Sequence, residues 1–277
     1  MIYNLMVLAY FLSAAAFSIG MFLVWRKKLK PGKALHLVGT LLIVVGMLVG
    51  VGMMTNSWMI TGEPPFQALY QSLIFFSVTT AAVYLVSSRK IPIMGWASAG
   101  FILLILAYAY LKQDGELTQR IPPALQSAWF VPHVVVYFLG YAALFVAFVA
   151  SILALFYPEP KQLSEGNPLG VAMRDFNLFA YKGIAFGFAM ISAGLLLGAA
   201  WAKFAWGDWW SWDPKENWAL ITWLVYAAYM HLRFLPGMSK RSLAWFSIIG
   251  FIAVMFTYLG VNYLPAAQDA LHSYQQK

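Results

Sequence analysis

The thirteen residues Trp206-Gly-Asp-Trp-Trp-Ser-Trp-Asp-Pro-Lys-Glu-Asn-Trp218 hold five of the chain's twelve tryptophans, with Asp208, Asp213, Lys215 and Glu216 among them. Strongly apolar runs flank the block on both sides, so it lies at a membrane edge. Flat aromatic faces crowded beside charges suit a large, flat ligand with an apolar body and a polar rim. The plainer alternative is an aromatic belt, because Trp is enriched at membrane interfaces anyway. A belt accounts for one or two tryptophans per helix end. It accounts poorly for a polar-aromatic block of this density.

Heme has the shape the block suits, and the histidines bear on that reading. The chain has four. His133 follows Pro132 at the start of one apolar run, and His272 lies in the C-terminal tail. His231 and His36 stand at the opposite ends of their runs. Trp218 and His231 are thirteen residues apart, about 20 Å at 1.5 Å of helical rise per residue. One ligand could not touch both, so the sequence offers two positions. Neutral imidazole is a common iron ligand and axial identity tunes heme potential. His133 and His272 share a side with the tryptophans. For His36 and His231 the alternative is an interfacial residue at a span end, since terminal ionisable groups can reach the headgroups. Arg233 would meet a carboxylate of the ligand or anchor the helix end.

The charges of the block, Asp208, Asp213, Lys215 and Glu216, also have two readings. They would position the ligand's carboxylates, Lys215 directly and the acids through water. Alternatively, Asp213 caps a helix that begins at Pro214, with Glu216 at its third position. The two are compatible, because a capped helix start presents N–H groups to anions.

These residues need apolar elements to carry them. Of 277 residues, 62% are hydrophobic and 10% charged, whereas a soluble domain carries about 25% charged residues. The chain reads as an all-α, polytopic integral membrane protein. A crossing needs about 20 mostly apolar residues. Eight runs qualify, near Leu5–Trp25, Leu35–Met54, Leu69–Val86, Ile91–Leu111, Val134–Phe156, Gly183–Lys203, Asn217–Leu232 and Leu243–Asn262. Thirteen of the eighteen Lys and Arg fall in one set of alternate connections. The positive-inside rule makes that set cytoplasmic, which leaves both termini and the tryptophan block external. The first run has no positive region before it and no small-residue cleavage site after it, so it reads as a retained span. After Pro122-Pro123, Ala124–Phe130 suits a short interfacial helix.

The net charge of +8 follows from that orientation bias, and no basic cluster interleaved with aromatics supports nucleic-acid binding. Cysteine is absent, which removes thiol redox chemistry from this chain. No linker, repeat or soluble insertion divides 1–277, which reads as a single membrane domain with residues 203–218 as its external tryptophan-rich segment.

The stretch Trp206-Gly-x-x-Trp-Ser-Trp-Asp-Pro-Lys-Glu-x-Trp218, continuing to His231-Leu-Arg233, resembles the tryptophan-rich WWD signature of heme-handling membrane proteins. Within that superfamily it is most similar to the CcsA (ResC) family of system II cytochrome c biogenesis. Gly62-Glu-Pro-Pro-Phe-Gln-Ala-Leu-Tyr-Gln-Ser-Leu73 resembles that family's outer loop, and Leu271-His-Ser-Tyr274 its terminal histidine motif. Gln67 and Gln71 stand where the family often has Asn and Glu, and Asn217 where Thr is common.

The resemblance implies cytochrome c biogenesis in a bacterial cytoplasmic or a thylakoid-type membrane. It implies that heme b is bound, moved outward and attached to apocytochrome c together with a CcsB-type partner, as a subunit of a cytochrome c heme lyase. Thiol-reducing proteins of the same pathway would keep the substrate cysteines reduced. Cofactor contacts would come from Trp206, Trp209, Trp210, Trp212, Asp213 and Trp218. His133 and His272 would be the outer axial ligands and His231 a ligand within the membrane. The family's second membrane ligand stands on the partner side, which would leave His36 redundant. No residue reads as a nucleophile. Two other readings stay open: a heme exporter or donor of the CcmC type, and a non-catalytic membrane regulator of heme synthesis of the HemX type. A solute transporter is disfavoured, because transporters concentrate broken helices and charges at the midplane.

Overall fold

The computed structural model describes residues 2–66, 68–89, 91–112, 127–156 and 176–265. They form eight α-helices: α1 (Ile2–Trp25), α2 (Leu29–Thr61), α3 (Leu69–Ser87), α4 (Pro92–Leu111), α5 (Phe130–Phe156), α6 (Phe176–Trp206), α7 (Pro214–Leu232) and α8 (Lys240–Tyr258). A short 3₁₀ turn, Gly260–Tyr263, follows. No strand occurs among the described residues. Seven of the helices are long and apolar enough to cross a membrane. The exception is α7, whose first turn carries Lys215, Glu216 and Asn217. The protein is a polytopic all-helical membrane protein.

Local chemistry sets the helix ends. Gly62, at φ 73°, closes α2 by donating its N–H to the Trp58 carbonyl; a left-handed residue at this place favours glycine. Pro92 opens α4, where its missing N–H costs nothing. Ser239 caps α8 by accepting the Ser242 N–H at 3.0 Å.

The helices sort into two compact units, α1–α4 and α5–α8. In the first, α1 packs on α2 and α4, and α3 on α2 and α4. Membrane helices associate through close packing at small residues, and two positions show how tightly. A Cβ on Gly46 would lie 2.8 Å from the Tyr10 ring, and one on Gly95 would lie 2.3 Å from Phe17. Gly95→Ala is therefore expected to lower stability by about 1–3 kcal/mol, the usual cost of overpacking. The readout is the thermal midpoint in detergent. Gly52→Ala, whose Cβ would meet nothing within 4 Å, is the neutral control.

In the second unit the main pair is α5 with α6, and α8 packs on α5 and α7. Aromatic contacts join α5 to α8, Phe138 with Tyr258 at 5.2 Å and Phe145 with Phe251 at 5.6 Å. The Thr222 and Thr257 hydroxyls, 2.8 Å apart, tie α7 to α8.

Candidate functional site

His133 sits in the first turn of α5, in the second unit. Its Nδ1 lies 2.9 Å from the Gly194 carbonyl of α6. A carbonyl only accepts, so Nδ1–H donates and the lone pair of the neutral ring is on Nε2. The ring meets Tyr137 edge-on at 4.9 Å and Trp201 at 5.5 Å. Trp201 in turn contacts Phe130 at 5.4 Å and Trp206 at 4.9 Å. An aromatic cluster thus runs from the imidazole to the first tryptophan of the block, within one unit. Sequence reasoning missed Trp201 and Tyr137, since each reads as an ordinary span residue; the signal was Trp201 standing five positions before Trp206.

The block itself is a clamped loop. Gly207, at φ 92°, turns the chain out of α6, and the Lys203 ammonium donates to its carbonyl. Asp213 caps α7 as expected, accepting the Lys215 N–H at 2.8 Å. Glu216 does more than complete the capping box. It is 8% exposed, and its Oε2 accepts from the Ser211 N–H at 2.8 Å, the Ser211 hydroxyl at 3.1 Å and the Asp213 N–H at 3.2 Å. The Asn217 amide donates to the Trp212 carbonyl at 2.8 Å. Trp212 itself adopts φ 58°.

The five tryptophans of the block therefore have different settings. Trp206 packs on Trp201, and Trp218 on Phe256 at 4.3 Å. Trp209 and Trp212 are 59% and 69% exposed. Trp210 meets Trp212 edge-on at 6.1 Å, and its Nε1 is buried with no hydrogen-bond partner.

His231 ends α7 and is exposed. Its Nδ1–H donates to the Ala227 carbonyl at 2.7 Å, so here too Nε2 carries the lone pair. Beside it, the Arg233 guanidinium lies over the Tyr181 ring at 4.2 Å. His36 belongs to the first unit. Its ring contacts Phe17 at 5.5 Å, and its Nε2 is buried without a hydrogen-bond partner. His272, Gln67 and residues 124–126 lie outside the described residues; of the expected short interfacial helix, residues 127–129 form a bend and turn, and Phe130 already belongs to α5. Among the described residues, no three His, Asp or Glu side chains converge as a bare metal ion would require.

The sequence pattern of the family described as cytochrome C assembly protein matches residues 66–267. The chain belongs to this family. Its likeness to individual members places it with the CcsA proteins. It is 35% identical over 268 residues to the cytochrome c biogenesis protein CcsA of Prochlorococcus marinus strain MIT 9312, covering 87% of this chain and 85% of that protein. It is 34% identical over 280 residues to the CcsA of Synechococcus sp. strain RCC307, covering 90% and 88%. Among solved structures, a cytochrome c heme lyase CcmF superposes with a TM-score of 0.69 at 18% identity, over 97% of this chain and 49% of CcmF. The chain thus spans about half of CcmF, and that likeness is one of fold. This cytochrome c assembly protein works in cytochrome c biogenesis, in a family that handles heme. The matched region contains His133, His231 and the whole tryptophan block, while His36 and His272 fall outside it.

Proposed function

We propose that this membrane protein binds heme b and presents it at the external face for covalent attachment to apocytochrome c, as a subunit of a cytochrome c heme lyase with a CcsB-type partner. His133 and His272 are the outer axial ligands, and the Trp206–Trp218 block encloses the macrocycle. His231 is the ligand of an inner position; His36 offers a further imidazole in the first unit. Cyanobacterial relatives support a bacterial cytoplasmic or thylakoid-type membrane.

The observation that carries this reading is the His133 imidazole. It is held in one tautomer by a backbone carbonyl, with its ligating lone pair on Nε2, inside an aromatic cluster that joins the tryptophan block. Metal-ligating histidines almost always donate their other N–H in this way. The rest of the loop fits the same cargo. Trp209 and Trp212 offer exposed indole faces for a porphyrin. Trp210 Nε1 is a buried donor whose acceptor would be a ligand carboxylate. Asp213 and Glu216 serve the loop backbone and shape the site indirectly.

The chain's part in the reaction is binding and orientation. His133 holds the iron, and the indoles cover the ring and exclude water. The substrate thiols then add across the vinyl groups, sulfur to one carbon and hydrogen to the other, so no protein nucleophile is required.

The test is the visible spectrum of the protein purified with its membrane partner, followed by coexpression with an apocytochrome. A low-spin, bis-imidazole Soret and α band, with covalent heme in the cytochrome, is the expected result. A heme-free complex that still supports full maturation would overturn the proposal.

A further inference from the structure

We infer that Gly194 and Gly198 of α6 are positioning residues for the His133 imidazole, forming the slot that fixes the orientation in which it ligates iron. This rests on the reading of His133 as an axial ligand and adds residues that no motif marks.

The slot has four parts. Its floor is Gly198: a Cβ there would lie 2.7 Å from His133 Cε1 and 2.8 Å from Nδ1. Real Cβ atoms essentially never approach this closely, so a larger residue there forces the ring or its helix to shift. Its rim is the Gly194 carbonyl, which accepts the Nδ1–H at 2.9 Å. One wall is Tyr137, lying so close to Gly194 that a Cβ there would come within 2.7 Å of its ring. The other wall is Trp201. Gly194 and Gly198 are four residues apart on one helix, hence on one face.

Small residues also serve plain helix packing in membranes, and α6 has an example for comparison. At Gly187 an added Cβ would meet Leu144 at 2.6 Å, an aliphatic contact in the same α5–α6 seam. Glycine weakens a helix interior. At Gly187 that weakness is offset by close packing alone; at Gly198 it makes room for a ligating ring. The hydrogen bond to the Gly194 carbonyl has a further effect, because it raises the basicity of the imidazole as a ligand.

The test compares Gly198→Ala and Gly187→Ala in the full complex with the membrane partner. Gly198→Ala is expected to convert the outer heme's low-spin bis-imidazole contribution to a high-spin one and to lower holocytochrome yield about tenfold, the usual scale for disturbing a ligand's support. Gly187→Ala is expected to lower the thermal midpoint and keep the low-spin bands. Wild-type bands in Gly198→Ala, or equal loss of bands in both variants, would overturn the inference. Low-spin bands that persist at full wild-type strength in His133→Ala would instead overturn the ligand reading beneath it. A measurement on the unmutated complex guards against misfolding of the variants. In ¹⁵N NMR of the ferrous complex, His133 is expected to carry its proton on Nδ1, and a ligand bound through Nδ1 would reject the slot.

Discussion

His133→Ala is expected to strip heme from the outer site of the purified complex, leaving the inner position at His231, and to cut holocytochrome yield by about 100-fold or more. Support residues around a metal ligand are typically worth 10–100-fold in affinity or activity, and a ligand is worth at least as much. The structural cost is small by comparison. The variant's losses include the hydrogen bond to the Gly194 carbonyl, worth about 1 kcal/mol net, and ring contacts with Tyr137 and Trp201. The protein should therefore accumulate in the membrane at near-normal levels while the outer heme's share of the α band is lost. His272→Ala is expected to give the same result, and the double variant to add little, because both side chains hold one iron and residues acting as a unit do not add. The measurement is heme per protein by pyridine hemochrome together with heme-stained cytochrome. Unchanged values in both single variants would remove the outer site from consideration.

The second large effect belongs to the carboxylate that clamps the tryptophan loop. Glu216→Ala is expected to release the tryptophan loop and lower holocytochrome yield about tenfold, on the scale of lost second-shell support. One carboxylate oxygen serves three donors, two from Ser211 and one from Asp213. Hydrogen bonds to a charged group contribute about 1.5–3 kcal/mol each. Water reaches the exposed Ser211 and recovers part of that; Asp213, 6% exposed, recovers little. Glu216→Gln keeps one acceptor oxygen without the charge, and should fall between wild type and Glu216→Ala. Limited proteolysis between residues 207 and 213 reads the release directly. A Glu216→Ala loop as resistant as wild type, with full maturation, would show that the clamp is dispensable.

Much of the fold was legible because membrane spans announce themselves by length and apolarity. The ends were less legible. The apolar window for the second helix stops at Met54, yet α2 continues to Thr61, since Asn56 and Ser57 lower hydropathy without breaking a helix. Likewise α6 begins at Phe176 and not Gly183. At α7 the cap chemistry was the better guide: Asp213, Pro214 and Glu216 mark its start, whereas apolarity pointed to Asn217. The grouping into two units left no sign in composition, because it depends on which helix faces which.

The site divides in the same way. The tryptophan block and His133 carry rare residue types in dense spacing, and such signals survive in one dimension. Gly194, Gly198 and Trp201 do not. A glycine acquires meaning only from what lies across from it, and in an apolar helix of thirty-one residues it is one small residue among several.

Trp212 is one of two described non-glycine residues with positive φ, a region that a bulky side chain enters at about 1–3 kcal/mol. Glycine would sit there without strain, but it has no ring to display. The Asn217 amide on the Trp212 carbonyl and the Glu216 carboxylate on its neighbours keep that costly twist from relaxing. At this one position local comfort of the main chain and display of an outward-turned indole are therefore opposed, and the molecule is built for display.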